Sequence, residues 1–178
     1  MNQDPEKINA LRHYTDFLKS LFEQQLQNYF PGKVLTRHDK MFPEVIAGTD
    51  HFPLTDFITK YHLKNEETVF LLIALTPHID PDFFDNLIQQ NMPKSGNFPE
   101  IGFVRGKDHR GMIPTGETVL FILAGKDSGK RLEYETLFSN DHLFSRLNIL
   151  SVEEPLPGES RYSGKLIMSP EYIELFTT

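Results

Sequence analysis

The chain reads NEETVFLLIALTP over residues 65–77, and this stretch decides how the fold is built. The apolar run Val69–Leu75 has no periodicity that separates a buried helix from a buried strand, so the flanking residues decide. Asn65 is a favoured N-cap residue, and Glu66 and Glu67 suit the positive end of a helix dipole. We therefore predict a helix that begins at Asn65, ends at Thr76-Pro77 and is buried on all sides.

A second apolar stretch, VLFILA, occupies residues 119–124. Thr115 is a favoured N-cap residue, Glu117 lies in the first turn, and Gly125 is a natural stop. These signals predict another helix that is buried on all sides. We expect both helices at the centre of the domain, because only other protein atoms can cover them.

Further helices are predicted around this centre. Apolar residues recur at spacings of three and four from Pro5 to Phe30, and Pro31-Gly32 ends that helix. Asp80 and Pro81 open another helix, as its N-cap and first helical residue, and it ends near Met92. The other predicted elements are helices over Pro53–His62, from Ser128-Gly129 and from Asp141, and a short strand at Val45 and Ile46 within the irregular stretch Lys33–Phe52.

The pattern changes after residue 148. Ile149–Val152 and Lys165–Met168 read as two strands joined by a polar turn, and Ser169-Pro170 opens a last helix through Phe176. Helices followed by a hairpin are the order of elements in a winged helix. We predict a mostly α fold with a small β-hairpin wing (α+β), organised as a winged-helix-like helical domain. Its parts are an N-terminal helical region, residues 1–60, and a winged-helix-like domain, residues 61–178, which can pack as one compact unit.

The totals exclude several classes of protein. The 178 residues include no cysteine, which excludes disulfides, thiol catalysis and cysteine-bound zinc. The formal charge of −7 disfavours general binding to nucleic acid, because a negative surface repels phosphates. The polar start Met1–Glu6 does not resemble a signal peptide, and the run Val69–Leu75 is too short to span a bilayer. We expect a soluble, cytoplasmic protein with no membrane contact.

Motifs for catalysis are weak. The segment Gly125–Arg131 resembles a phosphate-binding P-loop, but three residues instead of four separate its glycines, and Arg131 stands where a Ser or Thr must bind magnesium. The seven histidines form no H-E-x-x-H motif, although a ligand cluster from distant segments stays possible. No G-x-S-x-G nucleophile elbow occurs. We predict no enzyme activity, no cofactor and no bound metal.

The densest polar signal lies in a glycine- and proline-rich segment, residues 92–116, which predicts a long loop. Two interpretations stay open for its cations. They pair with nearby carboxylates such as Glu117 or with helix C-termini, or they form a contact surface for an acidic or phosphate-bearing partner. The candidate partner-binding residues are Arg105, Lys107, His109, Arg110, Gly111, Thr115 and Glu117.

Four blocks of the sequence resemble the domain that precedes a family of bacterial AAA-type ATPases. They are residues 66–81, residues 106–125, Asp141–Phe144 and Ser169–Thr177. The resemblance implies a winged-helix-type domain with an ATPase module and its Walker motifs downstream. Such ATPases are common in Bacteroidetes, and some accompany contractile injection systems. The family pattern often has a second glycine where Phe103 stands, and its catalytic residues lie outside this chain.

The leading hypothesis is therefore a non-catalytic N-terminal domain that docks partner proteins or regulates the downstream ATPase motor. The alternative is a DNA-binding winged helix. The hairpin segment Ile149–Met168 disfavours it, because the segment contains only two cations, Arg161 and Lys165, and three glutamates. A third hypothesis, a hydrolase with dispersed catalytic residues, requires a deep polar pocket.

Overall fold

Two apolar helices lie at the centre of the structure, a computed structural model that describes residues 5–30, 52–92 and 96–178. Helix α3, Asn65–Ile79, is buried along the whole run Val69–Thr76. Helix α5, Gly116–Ala124, packs against it and buries nearly every side chain. Both central helices are therefore confirmed. Their apolar surface is the main source of folding free energy, since burial stabilises by about 25 cal/mol per Å².

Helix α1, Pro5–Tyr29, is the amphipathic helix that the spacing of its apolar residues predicts. It lies across α3, α5 and a fourth helix, α4, Phe83–Asn91. Leu18 and Phe22 are fully buried in this contact, whereas the outer side of α1 is exposed. The N-terminal helix thus covers one face of the central pair.

The remaining helices close the other sides. The last helix, α8, packs against α2, and the Phe57 and Phe176 rings are 5.3 Å apart in that contact. The four remaining helices of the described residues are α2, Pro53–Lys60; α6, Ser128–Tyr134, which continues into a 3-10 turn, Glu135–Phe138; α7, Leu143–Arg146; and α8, Pro170–Thr177.

Four short strands complete the described residues. Strands β1, Val104–Arg105, and β2, Met112–Ile113, form one antiparallel hairpin. Strands β3, Leu150–Val152, and β4, Leu166–Met168, form the predicted second one, with Ser151 opposite Ile167. An isolated bridge between Thr115 and Lys165 links the end of the first hairpin to β4. The two hairpins therefore meet at one point beside the N-terminus of α5.

The limits of α3 differ from the prediction. The N-cap is Lys64, not Asn65, because the Glu67 carboxylate reaches back and accepts the Lys64 amide hydrogen at 2.7 Å. Pro77 does not end the helix, which continues to Ile79. Proline is tolerated there because it lies in the last turn, where its missing N–H removes a single helix hydrogen bond.

Two other predicted caps were also wrong by one or two residues. Asp80 is the C-terminal cap of α3 instead of the N-cap of α4, which begins at Phe83 after Asp82. His142, not Asp141, caps α7, because its ring Nδ1 accepts the Phe144 amide hydrogen at 3.2 Å. Neighbouring polar residues compete for a cap, and the backbone geometry that selects one is not visible in the sequence.

The structure confirms a mostly helical α+β fold with small hairpins. A single cluster of buried apolar residues extends from Tyr14 to Phe176 and includes residues on both sides of position 60. The boundary between residues 1–60 and 61–178 stays a prediction. The predicted strand at Val45 and Ile46 lies outside the described residues.

Within the described part of the chain, no helix is both long enough and apolar enough to cross a membrane.

We predict that Leu71→Ala lowers the free energy of unfolding by about 2–5 kcal/mol, because Leu71 of α3 is fully buried and its truncation to alanine leaves a cavity in the core. The matched control is Leu132→Ala in α6, since Leu132 is 68% exposed. It should change the free energy of unfolding by no more than about 0.5 kcal/mol. Urea denaturation followed by circular dichroism measures both. Similar losses in the two variants would contradict the assignment of α3 to the core.

Candidate functional site: the basic hairpin and its cavity

The glycine-rich segment is a hairpin where the sequence predicted a long loop. Strands β1 and β2 pair Val104 with Ile113 and Arg105 with Met112, and a turn of six residues joins them. Within this turn the Gly106 amide donates to the His109 carbonyl at 3.1 Å. Sequence patterns miss such strands because two residues are too few to show alternation.

Three of the predicted contact residues lie on the solvent-facing turn of this hairpin. Arg105, Lys107 and Arg110 are all exposed, and the Arg105 side chain retains 59% of its accessible surface. The Arg105 guanidinium donates to the carbonyl oxygen of Arg110, which ties the two ends of the turn together. The structure thus places these three cations, together with the exposed Asp108, in one short exposed segment, which we call the basic turn, residues 105–111.

A carboxylate that the sequence analysis missed holds the basic turn in place. Asp85 of α4 accepts from the Met112 amide at 2.6 Å through one oxygen and contacts the Arg105 guanidinium at 3.3 Å through the other. An exposed ion pair alone contributes little, but the backbone hydrogen bond fixes the carboxylate. One interpretation of the sequence paired the cations of this segment with carboxylates such as Glu117. In the structure Arg105 pairs with a different carboxylate, Asp85. No sequence signal identifies Asp85, because it is twenty residues away on another element.

Gly111 is required by close packing. A Cβ atom at this position would lie 2.7 Å from the His109 Nε2 atom and 3.0 Å from an Asp85 carboxylate oxygen. Carbon atoms do not approach polar atoms that closely without displacement. Gly111 therefore lets the His109 ring and the Asp85 carboxylate both reach the backbone of β2.

Phe103 anchors the start of the hairpin. Its ring is 5.0 Å from Phe84 of α4 and 6.2 Å from Phe22 of α1. These contacts join the hairpin to two helices.

Thr115 and Glu117 support the fold. Thr115 is fully buried, caps α5 and donates its hydroxyl hydrogen to the Gly102 carbonyl at 2.7 Å. The Glu117 carboxylate contacts Arg131 at 2.8 Å and accepts the Ser160 hydroxyl at 2.6 Å, with only 12% of its side chain exposed. These two residues join α5 to α6 and to the second hairpin, and they lie off the basic turn.

His109 lies at the edge of a cavity of about 350 Å³ between α3, β2 and β4. Three basic groups reach this cavity: His78 from the end of α3, His109 from the basic turn, and Lys165 beside β4. The His109 Nε2 atom is buried and has no hydrogen-bond partner among the described residues. The rest of the lining is apolar and comprises Ala74, Pro77, Ile113, Pro114, Leu166, Ile167 and Met168.

His78 titrates under the influence of His109. Burial lowers the pKa of the His78 imidazole below its ordinary value, and the nearby His109 lowers that pKa further because two positive rings repel. His78 is exposed on one side, so solvent moderates both effects. The described residues contain no group of three or more metal-ligating side chains.

The segment that resembles a P-loop is a turn between helices. Gly125 has a φ of +56° and ends α5, and Gly129 lies within α6. The Asp127 carboxylate accepts from the Lys130 amide at 3.0 Å, which caps α6 in the ordinary way. The amides of Gly125, Asp127, Lys130 and Arg131 are thus used for the end of α5 and the start of α6.

A second, more polar cavity of about 460 Å³ lies beside the 3-10 turn. The Tyr162 hydroxyl donates to the Glu135 carboxylate at 3.4 Å, and Arg161 and Asp141 also line the cavity. Burial and the negative Glu135 raise the pKa of the Tyr162 phenol, so the hydroxyl stays protonated. The lining of this cavity therefore presents a neutral phenol beside a carboxylate. It contains no histidine that could act as the base for a serine nucleophile.

Comparison with protein-family models, curated proteins and solved structures gave no match to this chain.

We predict that Asp85→Ala lowers the free energy of unfolding by about 1–3 kcal/mol, because the Met112 amide loses its acceptor. Hydrogen exchange at the Met112 amide should accelerate in the same variant. Gln89→Ala is the control, since Gln89 is an exposed residue of the same helix. Unchanged exchange at Met112 would show that the carboxylate does not hold the turn.

We predict that His78 titrates below about pH 6.5, the usual value for histidine. His109→Asn should raise the pKa of His78, since it removes the repelling ring. The unfolded chain then binds more protons than the folded chain as the pH falls below 6.5, so His78 makes the fold less stable in acid. NMR titration of the imidazole signals measures both pKa values. A His78 pKa that is identical in the wild type and in His109→Asn would refute the coupling.

Proposed function

We propose that this protein is a non-catalytic domain that docks partner proteins for an AAA-type ATPase, or regulates that motor, through the basic turn. The absence of cysteine suits the reducing cytoplasm, where we place it. The resemblance of residues 66–81 and 106–125 to the domain in front of such ATPases supports the link to a motor. The ATPase module itself is the first partner of this proposal.

The observation that carries the proposal is a fixed cluster of exposed cations on an acidic protein. Arg105, Lys107 and Arg110 stand within six residues, while the whole chain has a formal charge of −7. Asp85 holds the turn through its bonds to Arg105 and to the Met112 amide. Binding to a preformed surface costs less conformational entropy than binding to a disordered loop, which favours specific recognition.

The arrangement of the strands supports a winged-helix relationship. Thr115 pairs with Lys165 immediately before α5, and the Leu166 amide donates to the Pro114 carbonyl at 3.0 Å. A short extended segment, helices and then the β3–β4 hairpin therefore follow one another, and the extended segment pairs with β4. This order is the one expected for a winged helix, so we propose that finer fold class.

We predict that Lys107→Glu/Arg110→Glu abolishes binding of a protein partner in quantitative pull-downs, because it reverses the charge of the basic turn. Arg105 is left intact, so the Asp85 contact and the fold are preserved. The matched control is Lys130→Glu/Arg146→Glu, which makes the same change in net charge at exposed positions of α6 and α7. Retention of every partner by the turn variant would refute the proposal.

DNA binding is the alternative, and the exposed basic turn beside a hairpin is the observation that favours it. The helix directly before the β3–β4 hairpin, α7, has four residues, and Arg146 is its one cation. A helix that reads a groove needs more length and several outward cations. Fluorescence anisotropy with a labelled duplex at low salt separates the two functions. We expect no binding; tight binding that weakens with salt would favour DNA.

A further inference from the structure

The cavity beside His109 opens where two strands separate. The Leu166 amide donates to the Pro114 carbonyl, so the end of β2 lies beside the start of β4. Beyond that point β2 pairs with β1 and β4 pairs with β3, and the cavity fills the space between them. Ala74 and Pro77 of α3 form its floor.

One edge of β4 faces this space. The Glu153 amide bonds to the Lys165 carbonyl and the Ser169 amide to the Ile149 carbonyl, so the odd-numbered residues of β4 bond to β3. In an antiparallel pair the residues between them point their backbone groups the other way. The Leu166 amide donates to the Pro114 carbonyl, whereas the backbone N–H and C=O of Met168 have no hydrogen-bond partner among the described residues. Met168 is only 4% exposed, so an extended segment can add to this edge only by entering the cavity that Met168 lines.

The electrostatics of the cavity are one-sided. His78, His109 and Lys165 are its only charged or titratable lining residues. Two described carboxylates lie near these groups: Glu153 is 3.8 Å from the Lys165 ammonium and half exposed, and Asp85 approaches the same side of Gly111 as the His109 Nε2 atom. An exposed pair at that distance is weak, so Lys165 remains free to meet another anion. Ile113 and Ile167 provide apolar surface on either side.

We propose that this cavity binds an extended, acidic segment of a partner protein, with one carboxylate between His78, His109 and Lys165 and apolar side chains against Ile113 and Ile167. The inference rests on the proposed docking function and names the chemistry of the partner. The carboxylate meets the Lys165 ammonium and accepts from the buried His109 Nε2 atom, which has no partner among the described residues. The neighbouring backbone pairs with the free edge of β4. The basic turn adds further cations on the same side.

The probe for this site is the peptide acetyl-Leu-Glu-Leu-Glu-Leu-amide, and its control has glutamine at both glutamate positions. We expect the acidic peptide to shift the amide NMR signals of His109, Ile167 and Met168, and to bind at least about tenfold more tightly than the glutamine peptide, as a hydrogen bond between charged groups implies. Equal binding of both peptides, or no shift at these residues, would overturn the inference.

Variants of the protein separate the site from the rest of the surface. His78→Gln/Lys165→Gln should weaken binding of the acidic peptide about tenfold or more. His13→Gln/Lys130→Gln, which changes the same residue types at exposed positions of α1 and α6, should not. Thermal unfolding confirms that each variant folds. If the first pair binds the peptide as tightly as the wild type, the carboxylate does not lie in the cavity.

A small carboxylate is the competing occupant, and octanoate tests it. If octanoate fills the cavity and the acidic peptide cannot displace it, the site serves a metabolite and the inference fails. Failure here is distinct from failure of the docking function. If the variant Lys107→Glu/Arg110→Glu keeps all its protein partners, the basic turn is not the docking surface. If the same variant still binds the acidic peptide, the cavity site stands.

Discussion

Exclusion of water from α3 and α5 is the constraint on which the whole structure depends. Neither helix has a polar face, so both must be covered on every side. The amphipathic α1 covers one side, and α2, α8 and the hairpins cover others. The polar residues that remain near this core are caps and supports. Thr115 and Thr76 are buried there, and both satisfy their hydroxyl groups with backbone carbonyls.

The sequence predicts the longer helices well, because eight or more residues leave room for an apolar run or pattern and for the signals at the helix ends. The helices α1, α3, α5 and α8 were all expected close to where they lie. Their ends were predicted less well. Lys64 and His142 act as caps only because Glu67 and the His142 ring are oriented by the tertiary structure, and no local pattern contains that information.

The candidate site was predictable in part. The cations of the basic turn were found from composition, because several charges among glycines are unusual. Asp85 and His78 were missed as members of the site, since each comes from a separate helix and joins the hairpin only through folding. The roles of Thr115 and Glu117 also depend on the fold. A residue at a helix start can bind a partner or cap the helix, and burial decides between these roles.

The join between Thr115 and Lys165 has a mechanical consequence. β4 runs almost directly into α8, and the Ser169 amide is held by the Ile149 carbonyl. Phe176 of α8 is fully buried among aromatic rings, so a displacement of α8 along its axis moves part of the core and pulls on β4 at the same time. β4 in turn shares a backbone hydrogen bond with the segment that leads to the basic turn. Tension applied at the C-terminal helix thus reaches the hairpins by a short, stiff route.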